Sequence, residues 1–168
     1  MIKNIFVLLR IKDWLKNIVI FFPILFSSQL FQLNHYSSLL FGFFSFCILS
    51  SFIYVLNDII DIEKDKNHPI KSTQKPLANE KIKIQIAYLI LVIFFLIALT
   101  FTVYFPALRL NLFLYFLLSL MYNFGVKKLP YIEIVVLSLG YVVRTDCGSR
   151  IISVESSILM LLAVFCEN

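Results

Sequence analysis

The residues that invite chemistry lie in one short run, Asn57-Asp58-Ile59-Ile60-Asp61-Ile62-Glu63-Lys64-Asp65. Asp58, Asp61 and Asp65 are spaced i, i+3 and i+7. On a helix such positions fall within about 60° of one another, so three carboxylates project from one stripe and Glu63 points elsewhere. Like charges at this spacing repel and weaken a helix, and a bound cation removes the repulsion. An all-oxygen ligand set suits Mg2+, which takes one or two protein carboxylates and completes its shell with water and phosphate oxygens. The spacing marks Asp58, Asp61 and Asp65 as candidate Mg2+ ligands able to hold a diphosphate. A solvated charge run is the plain alternative, because Lys64, Lys66, Lys71 and Lys75 are near enough in sequence to neutralise the acids. Downstream stand His68-Pro69 and Lys71-x-x-x-Lys75-Pro76-Leu77. A basic loop facing an acidic stripe is a candidate phosphate clamp, and attraction to anionic lipid is its alternative.

The elements that must position this run are membrane helices. Of 168 residues, 60% are hydrophobic and 15% charged, where soluble domains carry about a quarter charged. Lipid must solvate part of so apolar a chain. The alternation of an outer-membrane barrel is absent, so the expected fold is all-α, a polytopic transmembrane helix bundle forming a single membrane domain over 1–168. The first sixteen residues read as an interfacial helix, with Ile2, Phe6 and Leu9 on one face and Arg10, Lys12 and Lys16 supplying charge. Five spans and part of a sixth follow: about 17–33, interrupted by Pro23, then 39–56, 84–104, 110–124 and 131–145, with the last beginning near Ser156. The stripe thus starts where the second span ends, in a polar stretch over 57–83.

Charge sets the orientation. Twelve of the fifteen Lys and Arg residues fall before the first span, between the second and third, or between the fourth and fifth. The positive-inside rule makes that side cytoplasmic, including the amino terminus and the acidic loop of a multi-pass protein of the cell membrane. The net charge of +5 then serves orientation, and no nucleic acid is expected as partner. Glu133 lies just inside the fifth span and Arg144 about 16 Å further along it, and charges at such depth face a cavity or a partner. Cys47, Cys147 and Cys166 read as small hydrophobes, and His35 and His68 lack zinc-ligand spacing.

Asn57-Asp58-x-x-Asp61-x-x-x-Asp65, followed by Lys75-Pro76-Leu77, resembles the first aspartate-rich motif of the UbiA prenyltransferase superfamily. That pattern usually places Arg before Pro-Leu; Lys75 keeps the charge and loses the bidentate fork. Arg10-x-x-x-Trp14-x-Lys16-Asn17 with Pro23, His68-Pro69, and Tyr122-x-Phe124-Gly125-x-Lys127 with Glu133 and Arg144 are similar to the branch that contains the decaprenyl-phosphate phosphoribosyltransferases. The resemblance covers about residues 8–155. It implies that Asp58, Asp61 and Asp65 act in catalysis by holding Mg2+ and the donor diphosphate, with Asn57 shaping the site. Lys16, Asn17, Lys71, Lys75, Tyr122, Lys127, Glu133 and Arg144 would bind substrates.

In that branch phosphoribosyl diphosphate is the donor and a polyprenyl phosphate, drawn from the lipid membrane, is the acceptor. The alternative enzyme uses a polyprenyl diphosphate to prenylate an aromatic ring, and the alternative of another class is a non-catalytic membrane protein. The resemblance also implies about nine spans, so the chain reads as a C-terminally truncated member, expected to be inactive by itself.

Overall fold

The structure is a computed structural model and describes residues 2–125 and 130–166. In chain order it forms α1 (Ile2–Leu8), a 3-10 helix (Ile11–Phe21), α2 (Phe22–Leu25), α3 (Leu33–Ile60), α4 (Ile62–Lys66) and α5 (Lys71–Gln74). There follow α6 (Ile84–Tyr104), a 3-10 turn (Pro106–Leu108), α7 (Arg109–Phe124), α8 (Pro130–Ile151) and α9 (Ile158–Cys166). No strand occurs among the described residues, in keeping with the all-α expectation.

Among the described residues, three segments are long and apolar enough to cross a membrane: α3 with 28 residues, α6 with 21, and Pro106–Phe124 with 19. At helical rise α3 is about 42 Å long and exceeds a hydrocarbon layer of about 30 Å. Helix α8 has 22 residues but carries Glu133, Arg144, Asp146 and Arg150. It covers the fifth expected span.

Two segments depart from the sequence reading. Residues 1–16 are not one interfacial helix, because α1 stops at Leu8 and Arg10 turns the chain with a positive φ of 50°. Residues 17–33 are not one spanning helix. The 3-10 helix runs eleven residues, far beyond the usual three or four, and gives way at Pro23 to the four-residue α2 and then to turns. Pro23 has no N–H to continue a ladder and sits at the start of α2, where none is needed.

The chain divides into two compact units. The first comprises Met1–Trp14 and Cys47–Thr100. Its core gathers Leu8 and Leu9, Val55 of α3, Leu77 and Ile82 of the polar stretch, and Ala87 and Leu91 of α6. The loop bearing the basic residues is therefore anchored from below by its own apolar side chains. Trp14 Nε1 donates to Ser51 Oγ at 2.9 Å, and that hydroxyl donates to the Leu9 carbonyl at 2.8 Å, which fixes the N-terminal segment on α3.

The second unit comprises Leu15–Phe46 and Phe101–Asn168. Here α8 packs against α2, α7 and α9. Gly148 lets α8 also approach the 3-10 helix just before α2, because a Cβ there would fall on the Ile20 carbonyl oxygen. Asp146 accepts hydrogen bonds from Asn111 Nδ2 at 2.9 Å, Ser156 Oγ at 2.7 Å and Arg150 Nε at 2.6 Å. One carboxylate so joins α7, α8 and the segment leading to α9.

Candidate functional site

The last turns of α3 and the whole of α4 carry the acids. The helical hydrogen bonds continue across the junction, from Asp61 N to the Asn57 carbonyl at 2.9 Å and from Asp65 N to the Asp61 carbonyl at 2.8 Å. Asp61 itself sits at φ −89° and ψ 7°, in the bridge region, so the two helices meet at a slight break. Asp58 and Asp65 fall on the buried face, at 3% and 2% exposure, while Asp61 is half-buried and Glu63 is exposed and pairs with Lys66 at 3.3 Å. The i, i+7 relation thus places two carboxylates on one face.

They meet at a single cation. The Lys75 ammonium donates to Asp58 Oδ1 at 2.7 Å and to Asp65 Oδ2 at 2.6 Å. Lys71 lies 3.9 Å from Asp65 Oδ1. Local sequence explains this aim. Pro76 disfavours helix at the residue before it, and Lys75 accordingly leaves α5 in extended conformation at φ −86° and ψ 123°. His68 Nδ1 accepts from the backbone N–H groups of Ile70 and Lys71, which fixes the start of α5. Asn79 Nδ2 holds the Thr73 carbonyl at 2.9 Å, closing the loop beyond Lys75. Burial acts to lower the Lys75 pKa, but hydrogen bonds and charge from Asp58 and Asp65 outweigh it, so the pKa stands above its ordinary value. Lys75 is fully protonated at neutral pH.

A residue outside the expected set joins this site. Arg10 Nη2 lies 3.5 Å from Asp58 Oδ1, and its guanidinium sits over the Tyr54 ring, 4.5 Å from the centroid. Ser51, Tyr54 and Asp58 follow one another at i, i+3 and i+7 along α3, so the face that bears the acid also receives the N-terminal segment.

The other expected residues are distributed as follows. Asn57 is half-buried beside Asp58 in the first unit. Lys16 is exposed and Asn17 buried, both in the 3-10 helix of the second unit. Also in that unit, the Tyr122 hydroxyl donates to Glu133 Oε1 at 2.8 Å, joining two residues that the sequence reading had grouped. Arg144 is 6% exposed, donates from Nη2 to the Tyr115 hydroxyl at 2.8 Å and stacks over the rings of Tyr115 and Tyr141. It pairs with no carboxylate among the described residues; Asp146 takes Arg150 instead. Lys127 lies outside the described residues.

Comparison with known proteins bears directly on these features. The model of the UbiA prenyltransferase family matches residues 19–166. The chain belongs to the UbiA family. Similar sequences include the decaprenyl-phosphate phosphoribosyltransferase of Corynebacterium glutamicum, 32% identical over 165 residues, covering 94% of this chain and 49% of that protein. The enzyme of the same name from Mycobacterium tuberculosis is 32% identical over 108 residues, covering 64% of this chain and 35% of that protein. The nodulation protein NoeC of Azorhizobium caulinodans is 38% identical over 73 residues, 44% of this chain and 23% of that protein. The chain spans about half the length of the Corynebacterium relative. UbiA members are polytopic helical membrane proteins, the class to which the long apolar helices here conform.

The residues of this UbiA chain that could hold a divalent ion are the acid pair, whose donors are all oxygen. Asp58 and Asp65 present oxygens that converge on one cation position, with a second base, Lys71, beside them. Two carboxylates plus water and phosphate is the ligation Mg2+ favours. Among the described residues no group of three or more His, Cys, Asp or Glu side chains is placed to hold an ion together. Asp61 stands at the helix break between the two converging acids.

Proposed function

We propose that this chain forms the diphosphate-binding part of a Mg2+-dependent intramembrane transferase that moves phosphoribose from phosphoribosyl diphosphate to a polyprenyl phosphate. The observation that carries the reading is the convergence of buried Asp58 and Asp65 on one cation, walled by basic residues. Asp58, Asp65 and, by sequence, Asp61 would hold Mg2+, which when bound neutralises charge developing on the leaving diphosphate. Lys71 and Lys75 would exchange a carboxylate for phosphate oxygens as point charges. In the transfer the bond between the sugar carbon and diphosphate breaks, and an oxygen of the polyprenyl phosphate bonds to that carbon. The names of the Corynebacterium and Mycobacterium relatives favour this donor over a prenyl diphosphate. Tyr122, Glu133 and Arg144 are proposed to serve the acceptor, and Lys16, Asn17 and Lys127 to assist binding. The basic loop is proposed to face the cytoplasm from a cell membrane.

The test is transfer of labelled phosphoribose to a polyprenyl phosphate by a version extended to the length of the Corynebacterium relative, with Asp58→Asn and Asp65→Asn beside it. Each variant keeps size and loses a metal-binding charge. The expected loss is several kcal/mol of barrier, roughly hundreds-fold in rate, with chelation of Mg2+ giving the same result. Near-normal transfer by both variants would sink the proposal.

A further inference from the structure

We infer that Arg10 is a further donor-binding residue, whose guanidinium takes a phosphate oxygen of the diphosphate substrate beside Asp58. The inference rests on the reading of the acid pair as a Mg2+-diphosphate site and extends it to a segment that reading leaves unused.

Arg10 is one of three non-glycine residues with positive φ among the described residues. Such a backbone is unfavourable for an L side chain, and persists where the surroundings over-determine it. Here they do. Leu9 is fixed through its carbonyl by Ser51, Asp13 N donates to the Arg10 carbonyl at 2.8 Å, and Trp14 is fixed to Ser51. The left-handed turn delivers the side chain along the Tyr54 ring to the acid.

What it delivers there is a poor ion pair. The contact to Asp58 is 3.5 Å, well beyond the 2.7–2.9 Å of a charge-assisted hydrogen bond. Asp58 already has Lys75 at 2.7 Å. Counting the groups in contact, Asp58 and Asp65 contribute two negative charges against three positive ones from Arg10, Lys71 and Lys75. Arg10 has five N–H donors, and only the one to Asp58 meets a protein acceptor among the described residues. Its side chain is 35% exposed, so the others remain open. A strained turn that supplies surplus charge and unfilled donors, next to a cation-holding acid, suits an anion with several oxygens. The planar fork matches phosphate geometry, and the Tyr54 face keeps the fork oriented before it binds.

The experiment measures binding of inorganic diphosphate, with Mg2+ present, to the full chain purified in detergent, alongside its thermal unfolding. Arg10→Asn removes the fork with a residue that accepts left-handed backbone. Affinity should fall about tenfold or more, while the unfolding temperature stays level or rises as backbone strain is relieved. A purely structural Arg10 would make both fall, and that outcome overturns the inference. Affinity within about twofold of the parent overturns it as well. A parallel titration with a short-chain prenyl monophosphate separates the sources of phosphate: a loss confined to the lipid phosphate overturns the assignment to the donor. Asp58→Asn distinguishes the two levels of the argument. If Asp58→Asn weakens Mg2+-diphosphate binding and Arg10→Asn does not, Arg10 alone is misassigned. If neither variant matters, or the parent takes up no diphosphate, the site reading fails with it. Should Arg10→Asn not fold, Arg10→Lys decides: weaker diphosphate binding at an unchanged unfolding temperature supports the inference, and unchanged binding overturns it.

Discussion

Lys75 bridges Asp58 and Asp65, at the position where the proposed Mg2+ would meet them. Both acids are buried, so its removal strands two carboxylates in a poorly solvated place. Breaking a fully buried pair costs about 3–5 kcal/mol, and partial exposure of Lys75 brings the expected loss for Lys75→Met to roughly 2–3 kcal/mol. A divalent ion can replace the missing ammonium. Millimolar Mg2+ should therefore restore the unfolding temperature of Lys75→Met while raising that of the parent less. Thermal scans with and without Mg2+ check this, and an equal gain in both proteins would refute competition at one position. The acids were legible in sequence because helical spacing alone puts Asp58 and Asp65 on one face. Four lysines were visible as neutralising charges, but that Lys75 is the one to bridge both acids was not, because α4, α5 and the turns between them set its aim. Arg10 was less legible still, since nothing in an arginine announces a left-handed backbone, and its sequence role looked like that of an interfacial charge.

At the scale of elements, the apolar run over 17–33 shows where composition misleads. Its residues satisfy a hydrophobic window as well as a spanning helix does, yet they form a long 3-10 helix, one turn of α-helix and a series of turns. Pro23 was the visible signal. The invisible one was Gly148 in α8, which lets a helix approach the Ile20 carbonyl closely enough to exclude any side chain. Gly148→Ala should force the two backbones apart and cost about 1–3 kcal/mol, as overpacking does. Loss of unfolding temperature in detergent measures this, and a variant as stable as the parent would contradict the packing described. The helices α3 and α6 were readable because each is a continuous apolar run without a breaker; α3 begins earlier than hydropathy alone suggests, at Leu33. The link of Asn111 and Ser156 to Asp146 had no sequence signal, since 35 and 10 residues separate the partners.

For the whole molecule, the sidedness set by its Lys and Arg residues can be measured directly. Gln74→Cys, placed on the exposed end of α5, should be labelled only from the cytoplasmic face, in a Cys166→Ser background that removes the one exposed cysteine among those described. Efficient labelling from outside intact cells would reverse the proposed orientation. The great length of α3 has a consequence of its own. This helix is a single rod with no proline from Leu33 to Ile60, and Asp58 rides on its final turn. It has about eight more residues than a typical hydrocarbon layer needs, at 1.5 Å each. Lipids with longer acyl tails would draw more of that surplus into the layer, while shorter tails would tilt the rod or lift its acidic end. Reconstitution of a version extended to the relatives' length, in lipids of graded tail length, should therefore alter the proposed phosphoribosyl transfer smoothly, with an optimum. The thickness of the surrounding lipid would act as a setting for how deeply the acid pair sits.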